Sequence, residues 1–269
     1  MCHRPIAVRL ISARAQADCY RRPMTDISDA ERAQRVELAG LYRIFDHLGW
    51  AELIYNHISA HVAGTDHFLI NPYGLHYREV TASNLVKIDL DGAVVGASDY
   101  GVNPAGFVIH SAVHAARPDA VFVAHTHTTA GMAVACQEGG LRGDNFYSCL
   151  AMPRLTYHDF EGITVRTEER ERLVQNLGDK NLMILRNHGL LACGKTAAAC
   201  FMNLWTLQRS CEIQMAADAG RGAPIKISDA AREASARAIP VMTAQAGFGE
   251  LELAALMRRM DEIDPSYRD

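Results

Sequence analysis

Three of the chain's 12 histidines stand in a pattern that can do metal chemistry. His125 and His127 lie two residues apart in the run Val121-Phe122-Val123-Ala124-His125-Thr126-His127, whose apolar, β-branched character predicts a strand. Side chains alternate across a strand, so residues i and i+2 share a face with Cα atoms about 6.6 Å apart. Two imidazoles so placed can converge on one ion. His188 follows a second apolar run, Leu182-Met183-Ile184-Leu185, and precedes Gly189. A third ligand from a neighbouring strand end completes three protein ligands with a position left open, the arrangement of a catalytic zinc site. His110 and His114, at i and i+4 on a predicted helix, share a face as well. On spacing alone they rival the other histidines as ligands.

The elements that must position these residues belong to one α/β domain. The chain has 269 residues, 49% of them hydrophobic and 22% charged, and its net charge is −4. That is the composition of a globular domain. It gives no whole-chain electrostatic case for nucleic acid, and no apolar run reaches the roughly 20 residues a membrane helix needs. Nucleic-acid and membrane partners are therefore not expected. The seven cysteines form no C-x-x-C pair. Their odd number and scatter fit buried thiols in a reducing compartment, and so a cytoplasmic protein.

Residues 1–25 are Arg-rich and poor in acids, which reads as a disordered or over-extended tail; the folded domain is expected over residues 26–269. Ser28-Asp29-Ala30-Glu31 reads as a capping box. Val36, Ala39, Tyr42, Phe45 and Leu48 then recur at helical spacing up to Gly49. Residues 52–100 carry short apolar runs broken by Asn71-Pro72-Tyr73-Gly74 and by Asp91-Gly92, a hairpin signal. Pro104 suits the first turn of a helix reaching Arg117. Residues 128–136 and 197–219 read as helices, and Leu190 to Cys193 as a continuation of the strand before Asn187-His188-Gly189. The segment 229–260 is helical in composition and interrupted by Pro240 and by Gly247 and Gly249.

The blocks Asn103-Pro104-Ala105-Gly106-Phe107, His110-Ser111, Ala115-Ala116-Arg117-Pro118-Asp119, His125-Thr126-His127 and Leu185-Arg186-Asn187-His188-Gly189-Leu190 resemble the class II aldolase/adducin family, adducin-like branch. Ile70-Asn71-Pro72-Tyr73-Gly74-Leu75 and Val86-Lys87-Ile88-Asp89-Leu90-Asp91-Gly92 extend the resemblance, which covers about 35–215. It implies a three-layer α/β/α domain with a central, largely antiparallel mixed sheet. It implies that His125, His127 and His188 hold a divalent metal, Zn2+ first and Mn2+ second, and that His110 and His114 have packing roles. It implies a homo-oligomer, commonly a tetramer, acting on a small molecule.

Two departures accompany the resemblance. The family's basic Glu falls at Gly106, which has no side chain, and its phosphate-gripping serines fall at Pro104 and Ala105. The Gly-Asn-x-Ser phosphate turn appears as Asn56-His57-Ile58-Ser59. A sugar-phosphate aldolase is therefore not the expectation. The chemistry that survives is Lewis-acid lyase chemistry, aldol cleavage or decarboxylation of a small keto or hydroxy acid or carbonyl compound. Tyr157 lies where family aldolases carry a proton donor, with His158 and Asp159 beside it, and His57 stands as a second catalytic candidate, to bind a carboxylate or move a proton. Tyr267 at the chain's end reads as part of a frayed terminus. The alternative is a non-catalytic interaction domain like the adducin head, for which the modest Arg258-Arg259 group near the end supplies no lysine-rich tail.

Overall fold

The structure, a computed structural model, describes residues 27–269 apart from 165, 166 and 245. The expected tail over 1–25, with Cys2 and Cys19, lies outside the described residues. Seven strands form one sheet: β1 (His57–His61), β2 (His67–Ile70), β3 (Val86–Asp89), β4 (Phe122–Thr126), β5 (Leu155–His158), β6 (Leu182–Leu185) and β7 (Gly189–Gly194). Their spatial order is β3-β2-β1-β4-β7-β6-β5. Every neighbouring pair is antiparallel except β5 and β6.

Helices cover both faces, because alternate residues of the central strands are apolar on both sides. Phe122 and Ala124 of β4 join Ile58, Ala60, Leu190 and Ala192 in the larger core, against α1 (Asp29–His47), α3 (Thr129–Ala135), α4 (Phe146–Ala151), α6 (Ala197–Asp218) and α8 (Glu250–Ile263). Val123 of β4 joins Met183, Leu185, Leu191 and Cys193 on the other face, with Ile109 and Val113 of α2 (Pro104–Ala116) and Leu173 and Leu177 of α5 (Glu169–Leu177). His125 has the parity of Val123, so it faces the α2 layer. His57 and Ser59 of β1 pair with His125 and Val123 and share that face.

Helix α1 anchors β1. The buried Tyr42 hydroxyl accepts from the backbone N–H of Ile58 at 2.8 Å and of Asn71 at 3.1 Å. This bolts the helix to the strand that carries His57. The capping box at its start forms by half. Ser28 Oγ accepts from Glu31 N–H, while the Glu31 carboxylate turns to Arg35 at 3.0 Å and Lys87 at 2.9 Å. A charged partner outcompetes a neutral amide for a carboxylate in a half-buried place.

Two expectations about breaks are corrected. Leu190 to Cys193 does not continue the preceding strand. The chain reverses at Asn187, which takes φ +56°, and β7 runs back antiparallel to β6. Asparagine tolerates this left-handed conformation better than most residues. In the C-terminal segment, helix α7 (Asp229–Thr243) continues through Pro240, and the break falls at Gly247 and Gly249, at φ +84° and +85°. The chain end is not frayed either. Tyr267 is buried in the larger core and donates to Asp261 at 2.7 Å. The five described cysteines are free thiols, and no described helix is long and apolar enough to cross a membrane.

Candidate metal centre

His125 is the last residue but one of β4, His127 lies just past the strand, and His188 sits in the β6–β7 turn beside it. Strand pairing makes these neighbours: Thr126 faces Leu190 in the β4–β7 register. The approach is so close that a Cβ on Gly189 would collide with the carbonyl oxygen of Thr126. Glycine is required there for steric reasons, and that contact holds His188 against the other two. The three imidazole centroids are 4.6 to 4.8 Å apart. One ligand nitrogen from each lies within 4.8 Å of the others. His125 is fully buried, whereas His127 and His188 are partly exposed, so the cluster opens to solvent on one side.

The second nitrogens decide what the first can do. His125 Nδ1 lies 2.9 Å from the carbonyl of Leu190, and His127 Nδ1 lies 2.8 Å from Glu52 Oε2. Both partners only accept, so each Nδ1 is the donating nitrogen and each Nε2 is the one turned inward. Those two Nε2 atoms face each other at 2.7 Å. Two inward Nε2 atoms, with a nitrogen of His188 beside them, are the donor type that a divalent cation takes from histidine. The donor set therefore fits a divalent metal, with Glu52 as the outer partner that orients His127. Burial, then the neighbouring His127, pushes His125 well below its usual pKa and His188 to about 4, which keeps both rings unprotonated as ligation requires.

Beside this cluster lies a second group of histidines. The His57 ring is 5.1 Å from that of His125, inclined by 30°. Its Nδ1 is 2.8 Å from His110 Nε2. Ser59 Oγ lies 2.5 Å from His110 Nδ1 and 2.6 Å from His114 Nε2, and His114 Nδ1 is 3.0 Å from the carbonyl of Ala120. The packing role expected for His110 and His114 is thus a hydrogen-bonding one. Gly106, on the first turn of α2, is pressed against this group: a Cβ there would stand 2.6 Å from His57 Cδ2.

Tyr157 sits elsewhere. Its hydroxyl accepts from Leu141 N–H at 3.0 Å and its ring lies under the Arg186 guanidinium at 4.5 Å. Among the described residues no contact joins it to the three histidines. His158 is buried between Asn176 and Glu169, and the exposed Asp159 pairs with Arg186 at 3.6 Å. The sequence holds no sign of Glu52, and it marks Ser59 only as part of the Asn56-His57-Ile58-Ser59 turn, not as the link between His110 and His114. Ser59 carried a signal, since it shares a strand face with His57 two residues away. Glu52 carried none, because it lies in a turn where Leu53 takes φ +47°.

Residues 36–215 match the Class II Aldolase and Adducin N-terminal domain. The chain belongs to this family. It is 45% identical over 245 residues to a Caulobacter vibrioides protein described as "Putative aldolase class 2 protein", covering 90% of this chain and 95% of that one. It is 41% identical over 247 residues to rat alpha-adducin, covering 87% of this chain and 34% of the adducin. The crystal structure of an aldolase II superfamily protein from Pseudomonas syringae superposes with a TM-score of 0.83 at 43% identity, covering 90% of this chain and 98% of that chain.

Proposed function

We propose that the protein is a metal-dependent lyase that cleaves a carbon–carbon bond in a small keto or hydroxy acid or carbonyl compound. The observation that carries this reading is the convergence of His125 Nε2 and His127 Nε2, 2.7 Å apart, with a ligand nitrogen of His188 within 4.8 Å of them. These three residues would hold the ion, with Zn2+ the first choice and Mn2+ the second. A divalent ion held there would supply Lewis acidity for a carbonyl next to the bond that breaks. His127 and His188 leave the open side of the cluster for the substrate, and Glu52 keeps His127 in its ligating tautomer.

Gly106 puts no carboxylate in the site, so the chain favours a reaction that needs no strong base to remove a carbon-bound proton. Decarboxylation fits that limit best. His57 is the candidate that meets the substrate. Tyr157 would serve as proton donor only if its ring leaves Arg186. A cytoplasmic homo-oligomer is part of the same reading. The second reading, an interaction domain without catalysis, is favoured by the 41% identity to alpha-adducin.

Elemental analysis of tag-free protein beside His125→Ala tests the reading. Near-stoichiometric zinc or manganese, lost in the variant, is expected, followed by CO2 release or aldol cleavage from a panel of keto and hydroxy acids. Protein that takes up neither metal after dialysis would sink the lyase and leave the interaction domain.

A further inference from the structure

The chain His57–His110–Ser59–His114–Ala120 has only one consistent arrangement of protons when its rings are neutral. A carbonyl oxygen can only accept, so His114 donates to Ala120 through Nδ1–H and keeps a lone pair on Nε2. Ser59 must then donate its single proton to that lone pair. Its oxygen is left to accept from His110 Nδ1–H, which leaves His110 Nε2 bare. His57 donates to it through Nδ1–H. Each link fixes the next, and the sequence ends at His57 with its Nε2 bare and bonded to no described residue. Neutrality follows from place: His57, His110 and His114 are at most 4% exposed, and no carboxylate is bonded to any of them.

The ring cannot readily turn away from this assignment. Its edge lies against Gly106, where even a Cβ would collide, and one face lies beside His125. The bare nitrogen thus stands at the wall between the first turn of α2 and the three-histidine cluster.

We propose that His57 Nε2 is a fixed hydrogen-bond acceptor in the ligand site, and that it takes the hydroxyl of a hydroxy-carbonyl compound held at the three histidines. His110, Ser59 and His114 are positioning residues. The class of ligand follows from the polarity. A hydroxyl has a proton to give, whereas a carboxylate or a phosphate dianion presents only lone pairs and is repelled. This replaces the carboxylate-binding role that sequence alone allowed His57. It rests on the lyase reading only in placing the ligand's carbonyl at the histidine cluster.

The test is 15N NMR of the zinc-loaded full chain labelled at histidine, which reports the protonated nitrogen of each ring. His57, His110 and His114 are each expected as the Nδ1–H tautomer. Hydroxyacetone should shift the His57 Nε2 resonance, while acetone, which lacks the hydroxyl, and inorganic phosphate should not. An Nε2–H tautomer at any of the three rings overturns the proposal, as does a His57 resonance that ignores hydroxyacetone at saturation or answers phosphate. Ser59→Ala should give mixed tautomers at His110 and His57; unchanged tautomers in the folded variant would overturn the positioning role, and if it does not fold, the unsubstituted protein decides alone. A failure of the metal reading shows separately, as no response of His125, His127 and His188 to zinc.

Discussion

Two groups of three histidines share one face of the sheet and touch where the rings of His57 and His125 lie 5.1 Å apart. In His125 and His127, the outer nitrogens are bound to acceptors of the protein, and the inner nitrogens converge to 2.7 Å. In His57, His110 and His114, each lone pair meets a donor until the last. The side chain is the same, and the partner of its second nitrogen sets what the first can do. The first group turns its nitrogens toward one another; the second is a piece of structure with a single live end.

Substitutions should separate the two groups. His188→Ala removes a ligand, and bound zinc should fall from near one per subunit to background by elemental analysis, whereas His110→Ala should leave it near one. Equal loss in both would merge the groups. Glu52→Gln keeps the shape but weakens the outer partner of His127, and zinc affinity by chelator competition should drop about 10- to 100-fold. Ser59→Ala leaves His110 Nδ1–H and His114 Nε2 unpaired in the interior. A stability loss of about 1–3 kcal/mol in urea is expected, with zinc content unchanged.

Acid should act through the same interior rings. Burial lowers His57 and His114 from 6.5 to about 3. Between those values the unfolded chain binds protons that the folded chain refuses, so stability rises with pH across this window. It is full above about 6.5 and falls on acidification by about 1.4 kcal/mol per pH unit for each such ring. Urea midpoints of metal-free protein at pH 7 and pH 5 measure it, and equal midpoints would show that neither ring is held neutral. The smallest effect belongs to Tyr157→Phe, which deletes the bond to Leu141 N–H. About 1 kcal/mol of stability should go. A large fall in kcat at unchanged KM would instead return Tyr157 to the chemistry.

Sequence carried the first group further than the second. The H-x-H spacing puts His125 and His127 on one strand face by local geometry, and the family resemblance of the Asn187-His188-Gly189 run adds His188. The i, i+4 pair His110 and His114 and the i, i+2 pair His57 and Ser59 are equally regular. What joins them is the packing of α2 on β1, 51 residues apart at Ser59 and His110, which no local spacing records. The same limit hid the β6–β7 reversal. His188-Gly189 reads as a strand end, and only the left-handed Asn187 turns the chain there. Helix α1 was legible in its period and in its Ser28 cap but not in the Glu31 half of the box, because Lys87, which draws Glu31 away, is 56 residues distant.

The close approach of Gly189 to Thr126 has a consequence for how the proposed metal would be acquired. The three histidines come together only when β4 and β7, more than 60 residues apart in the chain, have paired in one register. A slip of a single residue would turn His125 to the opposite face of the sheet. Pairings of such sequence separation form late and slowly. Metal uptake during refolding should therefore lag behind helix formation, and a chain that takes up a metal would already have passed the check on its central strands.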